Sequence, residues 1–543
     1  MAQIKKVSGN LVDVINETIY PATIEIKEGK IVSIHRKEGV ESHFLIPGFV
    51  DAHVHIESSM LPPSEFARLA LPAGLVATVS DPHEIGNVLG VAGVKYMLQN
   101  AAQVPFKFYF GAPSCVPATD FETSGARIGP EEIEYLLSKS EIKYLAEVMN
   151  FPGVIRRDRE MMAKIAIAKK LHKKIDGHAP QVSGEDLKKY TSAGIDTDHE
   201  CVSVEEAKQK IALGMKILIR EGSAAKDFDS LFPLLLELPE HCMLCSDDVD
   251  PETLLRGGVN LLVKRGVAKG ADLMSILRCA SWNPIQHYGL EVGMLRVGDP
   301  ADFIEVDNLK NFTVLSSYID GECVFRDKEV LFPRVIPERI NHFVAKKKQV
   351  SDFVIPVRPG RIKVIEAIDG QLLTKHFLAE PLLSGNYVIS DLTRDILKIA
   401  VVNRYQNKPP SIAFIKNFGL QRGAIASSVA HDSHNIIAVG ATDESLCKAI
   451  NCIIAHQGGL CVVDEQIEEC LPFPIAGLMS DQEGSLVANQ YKKLEALSKS
   501  LGCPLSAPFM TLSFMALLVI PQLKISDLGL FDGESFQFTE LFE

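Results

Sequence analysis

The chain has 543 residues, 46% hydrophobic and 23% charged, with a formal net charge of -13, which allows roughly two to four domains with ample buried surface. The acidic balance argues against a nucleic-acid groove or an anionic membrane surface. The longest apolar stretch, Leu512 to Ile520, is too short to span a bilayer. Eleven scattered cysteines fit free thiols in a reducing cytosol better than a disulfide framework.

Met1-Ala2-Gln3-Ile4-Lys5-Lys6 leads straight into strand-like sequence, so no secretory leader is expected and a cytoplasmic location is. The first part of the chain, 1–45, reads as all-β: Leu11–Val14, Ala22–Ile26 and Lys30–Ile34, with Glu28-Gly29 as a turn. Phe44, Leu45 and Ile46 then lead into Pro47-Gly48-Phe49-Val50-Asp51-Ala52-His53-Val54-His55. Alternate residues of a strand share a face, so His53 and His55 can aim two imidazoles at one point. Two neutral imidazoles on a rigid strand end make a natural start to a divalent metal site.

Eight apolar runs follow one another between residues 44 and 285: Phe44–Val50, Leu75–Ser80, Phe106–Gly111, Lys143–Met149, Lys173–Asp176, Gly194–Thr197, Met215–Ile219 and His241–Ser246. Helix-capable stretches separate them, and several runs end abruptly in polar residues. This pattern predicts an α/β fold, a (β/α)8 barrel with its active site at the strand C-termini. A doubly wound open sheet would usually carry a glycine-rich first turn, and no G-x-G-x-x-G is found. Cys242-Met243-Leu244-Cys245 spells C-x-x-C, but residues three apart on a strand face opposite ways, so core packing is expected.

After Asn283-Pro284 another β-like stretch includes Asp302-Phe303-Ile304-Glu305-Val306. Residues 1–45 and 285–345 are expected to form one small β-sandwich domain from both flanks of the barrel, which spans 46–284. Lys346-Lys347-Lys348 reads as a solvated linker, and 350–543 as a C-terminal α/β-type domain. There, His431 and His434 are three apart and would share a face on a helix. A lid over the barrel mouth, contact with a substrate ring, another ion site, and plain helix or loop residues are all open to them.

Polar residues at the strand ends supply His53, His55, Glu147, His178, His199 and Asp247. Four imidazoles and two carboxylates suit two adjacent divalent ions. Glu147, in Leu145-Ala146-Glu147-Val148-Met149, is costly there unless a cation or hydrogen-bond donors balance it, and it could bridge the pair. Two metals would lower the pKa of a bridging water, with Asp247 as proton acceptor. The implied reaction is hydrolytic attack on an sp² carbon.

These residues resemble the amidohydrolase superfamily and, within it, the bacterial adenine deaminases. The likeness runs through Ile56-Glu57-Ser58-Ser59-Met60, Ser80-Asp81-Pro82-His83-Glu84-Ile85-Gly86-Asn87, Asp176-Gly177-His178-Ala179-Pro180 and Asp198-His199-Glu200. It continues in Arg220-Glu221-Gly222-Ser223, Ser246-Asp247-Asp248 and His431-Asp432-Ser433-His434-Asn435. The resemblance implies hydrolysis of adenine to hypoxanthine and ammonia in purine salvage, by hydroxide attacking C6. It implies two divalent ions, Mn2+ or Fe2+, with Zn2+ also admissible. His53, His55 and Asp247 would hold one ion, His178 and His199 the other, and Glu147 would bridge. Related hydantoinases and dihydroorotases tend to carry a carboxylated lysine at the position of Glu147.

Asp247 and Glu221 are the catalytic candidates, Glu221 as proton donor to N1. His83, Glu84, Arg220, Ser223, His431 and His434 are candidates for substrate contact. A homodimer or higher homo-oligomer is expected. The alternatives are a cyclic amide or ureide hydrolase of the same superfamily and a non-catalytic scaffold. His55-Ile56-Glu57 matches the H-x-E half of base-flipping zinc deaminases, but their P-C-x-x-C half is absent. A free base rather than a polynucleotide is the expected substrate.

Overall fold

The computed structural model describes residues 4–223 and 225–543. Eight strands form the expected barrel: Phe49–His55, Leu75–Ser80, Lys107–Ala112, Ile142–Val148, Lys174–Gly177, Thr197–Asp198, Lys216–Arg220 and Cys242–Cys245. The first five pair in parallel in chain order, as do the last three. Between the fifth and sixth, the Asp196 N–H donates to the Ile175 carbonyl at 3.3 Å. The ring closes where Asp247 and Asp248, just past the eighth strand, pair with Val54 and His55. Every residue of Phe49–His55 and of Leu75–Ser80 is buried, because a barrel strand faces a filled interior on one side and helices on the other.

The run predicted as one strand, Phe44–Val50, is divided by the structure. Phe44–Pro47 belongs to the flanking sheet and Phe49–His55 to the barrel. Gly48 makes the crossing possible, since a Cβ there would sit 2.4 Å from both methyls of Val76. The helices between barrel strands start where local chemistry dictates. Asp158 and Ser203 each accept from a backbone N–H in the first turn, satisfying donors that the helix itself leaves orphaned.

The flanking sheet has eight strands, ordered Glu329–Val330, Glu322–Arg326, Val314–Ile319, Phe303–Val306, Phe44–Pro47, Lys5–Asp13, Thr18–Lys27 and Lys30–Arg36. Sequence from both sides of the barrel therefore meets in one layer, over a core of Leu11, Ile24, Leu45 and Phe303. The Glu28-Gly29 turn has φ of 53° and 79°, the pair of positive values that a tight hairpin turn needs.

The C-terminal region is built on a second eight-stranded sheet, running from Thr374–Ala379 at one edge to Glu468–Pro472 at the other. Helix Asp443–His456 packs on one face with Leu446, Ile450 and Ile453 in its core. The lysine run is not wholly solvated: Lys348 is buried, and its ammonium donates to Lys408 O at 2.7 Å and Asn407 Oδ1 at 3.2 Å. Two polar ties dock this region on the barrel. Buried Glu65 accepts from Arg334 Nε at 2.6 Å and from Gly484 N at 3.0 Å. Asp527 accepts from Thr123 N at 2.8 Å, and Asn435 donates to Thr123 O at 2.9 Å. Among the described residues no helix is long and apolar enough to cross a membrane.

A buried ion pair fixes the fifth and sixth strand ends, which the sequence pattern marks only faintly. Lys210 Nζ donates to Asp198 at 2.9 Å and to Ala179 O at 2.7 Å, and Asp198 also accepts from Ala179 N at 2.8 Å and Glu200 N at 3.1 Å. Burial would raise the Asp198 pKa, but the charges of Lys210 and His199 and the hydrogen bonds from Lys210 and Cys201 together outweigh it and hold the carboxyl well below the usual range. The pair thereby sets the backbone on either side of His178 and His199. Lys210→Met strands a buried carboxylate and should lower stability by about 3–5 kcal/mol. A denaturant midpoint unchanged by the substitution would overturn this.

Candidate metal centre

The barrel turns its strand ends toward a single point. His55 Nδ1 lies 3.1 Å from the Asp81 carbonyl. A carbonyl only accepts, so Nδ1 carries a proton and Nε2 is the nitrogen that faces inward. The Nε2 atoms of His53 and His55 are 3.1 Å apart, and the His53 ring stacks on His199 with centroids 4.1 Å apart. One Glu147 oxygen lies 3.3 Å from His55 Nε2, while the other is 2.7 Å from His178 Nδ1 and 3.1 Å from His199 Nε2. Asp247 Oδ1 is 3.2 Å from His55 Nε2 and 3.6 Å from His53 Nε2. All six residues are buried.

The donor set fits divalent metal. Imidazole nitrogens and carboxylate oxygens of different strands crowd together on one point, an arrangement that a cation can take over from the protons between them. His53, His55 and Asp247 form one group whose ligand atoms lie within 4.8 Å of one another, and His53, Glu147 and His199 form a second. The two oxygens of Glu147 face different imidazoles, as a bridging carboxylate requires.

The electrostatics agree. Burial would raise the Glu147 pKa, but His199 and His178 outweigh it and hold the carboxyl well below its ordinary value. Asp247 is likewise held low against its burial, by contacts with His53 and His55 and by the charges of His199 and Arg220. His53 is pushed down to about 4 by burial and then by His199, so it is neutral and able to donate a lone pair. Burial works against protonated His199, yet Glu147 raises it to about 9. Asp247 also has φ of 58°, a conformation that a non-glycine residue adopts at a cost and that clusters at functional sites.

A second layer adjoins this cluster. His83 Nδ1 lies 3.0 Å from Asp81 and 3.5 Å from Glu147, and His83 Nε2 is 3.3 Å from Glu84. Glu84 in turn meets His431 Nδ1 at 3.0 Å and His434 Nε2 in a close contact. The structure thus brings His83, Glu84, His431 and His434 together, across the boundary between barrel and C-terminal region. The helix considered for His431 and His434 is absent: both lie in a turn, where His434 has φ of 55°. His431 stacks on Phe514 with centroids 4.8 Å apart.

The remaining candidates divide. Arg220 reaches the cluster, donating to Asp247 Oδ2 at 3.0 Å, to Asp227 at 2.7 Å and to both oxygens of Glu200. Three carboxylates therefore occupy the guanidinium expected to contact substrate. Glu221 does not reach the cluster. Side chains alternate along a strand, so with Arg220 inward its neighbour turns outward, where it pairs with Arg265 and accepts from Phe228 N at 3.3 Å. Ser223 also stays outside, its hydroxyl accepting from Asp250 N at 2.8 Å and lying 3.4 Å from Thr253 Oγ1. Glu200 was not among the predicted site residues, yet it lies 3.6 Å from His178 and 3.5 Å from His199. Asp81, which orients His83, was also missed. Both follow strand ends within the quoted Asp-His-Glu and Asp-Pro-His-Glu segments, which was the available signal.

Comparison with known proteins places these residues in a lineage. Residues 44–324 match the amidohydrolase family, and 371–537 match the adenine deaminase C-terminal domain. An adenine deaminase of Sulfurovum sp. is 56% identical over 98% of this chain and 99% of its own length. One from Methanosarcina mazei is 50% identical over 99% of each. A β-aspartyl dipeptidase structure from Fervidobacterium islandicum AW-1 aligns with 61% of this chain and 99% of its own at 16% identity, with a TM-score of 0.47. With both family matches in order along one chain and near-complete relatives at about half identity, the chain belongs to the adenine deaminase family of the amidohydrolases.

Proposed function

We propose that this chain hydrolyses adenine to hypoxanthine and ammonia, at a pair of divalent ions in the barrel mouth. The observation that carries this reading is the convergence of His53, His55, Glu147, His178, His199 and Asp247 on one buried point, in a chain 56% identical to a relative named adenine deaminase. His53, His55 and Asp247 would hold one ion and His178 and His199 the other, with a Glu147 oxygen toward each. Mn2+ or Fe2+ is our assignment, on the imidazole and carboxylate donors. Such ions supply Lewis acidity and make water a far stronger acid.

The chain's own residues do the rest. Asp247 is ionised and buried, with Oδ1 toward the cluster and Oδ2 bound by Arg220 at 3.0 Å. It is placed to take a proton from the attacking water and pass it to the departing amine. Arg220 fixes its orientation and favours its charge. Glu84, gripped by His83, His431 and His434, gives the mouth a polar wall that can meet the ring nitrogens of a purine. Glu221 is bound to Arg265, so we move the supply of the N1 proton to this wall, where imidazoles on both sides of Glu84 can relay it. Phe514, stacked on His431, backs this wall.

Asp247→Asn removes the acceptor and should lower kcat for adenine about 10²–10⁴-fold, followed by the absorbance change from adenine to hypoxanthine. Full activity in a folded variant would sink the assigned role. Chelation should abolish turnover and Mn2+ should restore it. Ligation needs unprotonated imidazoles, and His199 sits at about 9 without an ion. The apparent affinity for Mn2+ should therefore fall as pH is lowered from about 9, in a direct binding titration. An affinity flat with pH would contradict the ligand set.

A further inference from the structure

We propose that Cys452, His456, Cys461 and Cys470 form a second metal site, which binds one thiophilic divalent ion of the zinc class in the C-terminal domain. It stands apart from the barrel-mouth residues and does not rest on the deaminase reading. Cys452 and His456 are one turn apart on helix Asp443–His456, so they share a face. Cys461 and Cys470 lie directly opposite each other on strands Gly459–Val463 and Glu468–Pro472, so their side chains leave the sheet on one side. That side is the one the helix covers, and Cys452, Cys461 and Cys470 all belong to its packing.

The ligand atoms of Cys452, His456 and Cys470 lie within 4.8 Å of one another, and Cys452 Sγ is 3.9 Å from His456 Nδ1. The neighbouring thiols of Cys461 and Cys470, and then His456, favour the Cys452 thiolate, while the Cys461 and Cys470 thiols are themselves pushed up. A tetrahedral ion with sulfur at about 2.3 Å and nitrogen at about 2.0 Å sets its ligands about 3.5–3.8 Å apart, so the group needs little movement to close on one. His456 Nδ1 now lies 2.9 Å from the Cys452 carbonyl oxygen, and because the ring is exposed it can turn from that contact to an ion.

Buried thiols by themselves are usually small core hydrophobes, and a histidine in a last helical turn can simply serve the helix dipole. Neither accounts for Cys452 and Cys470 meeting an imidazole at the rim, with Cys461 directly across the sheet from Cys470. Cys461 is fully buried, Cys470 half-buried and His456 exposed, which leaves an entry path from solvent. Binding would release the thiol protons and tie the helix to Glu468–Pro472. That strand is the sheet's edge, where unpaired backbone groups make an anchor most useful.

Cobalt(II) distinguishes this site from the barrel mouth, whose candidate ligands include no sulfur. Metal-free full-length protein titrated with Co2+ should develop a thiolate-to-cobalt charge-transfer band that saturates at one ion per chain. Cys470→Ser should shrink the band and, like the exposed-site variant His456→Ala, weaken Co2+ binding at least tenfold. Cys470→Ser should still deaminate adenine when loaded with Mn2+. No charge-transfer band in the wild-type chain, or an equal band in Cys470→Ser, would overturn the proposal. So would a Cys461–Cys470 disulfide as the stable state of the isolated protein in peptide mapping.

Discussion

Glu147 is the constraint around which the barrel mouth is arranged. Its carboxylate is buried on a central strand, where an unbalanced charge would be expensive. Balance comes from imidazoles on three other strands, with one oxygen facing His55 and the other His178 and His199. Each of those rings has to be aimed, so the demand spreads outward. Asp81 takes up the outer nitrogen of His55 through its backbone carbonyl, and the Asp198–Lys210 pair sets the strand ends that carry His178 and His199. A central acid with two occupied oxygens thus explains why so many polar groups lie in the least exposed part of the molecule.

The architecture was legible where strands are long and apolar. Leu75–Ser80 reads directly from its sequence because both faces of a barrel strand are buried and no alternation interrupts it. The sixth strand, only Thr197–Asp198, carries little such signal, and its position depends on Lys210, a residue on the following helix. The first strand misled for the opposite reason. Phe44 to Val50 is continuously apolar, but Gly48 lets the chain pass from one sheet to another without leaving the core. No local pattern marks that crossing.

For the site, residue type and strand-end position were enough to find the metal-ligand candidates. They were not enough to orient neighbours. Arg220 and Glu221 are adjacent and both charged, and only the register of Lys216–Arg220 decides which enters the barrel. Glu200 passed unnoticed because its partner, Arg220, is on another strand. His431 and His434 were suspected from spacing, but what fixes them is a turn beside Glu84, and that proximity exists only in the folded chain.

The Glu84 contact has a consequence for how the molecule is made. The barrel and its flanking sheet precede the C-terminal region in the chain, so they leave the ribosome first. At that stage Glu84 has His83 beside it, and the other groups that hold it ionised at full burial, His431 and His434, are still to come. Docking of the last part of the chain completes the electrostatics of Glu84. Chain order thereby places the completion of the pocket late and couples it to the docking of the C-terminal region.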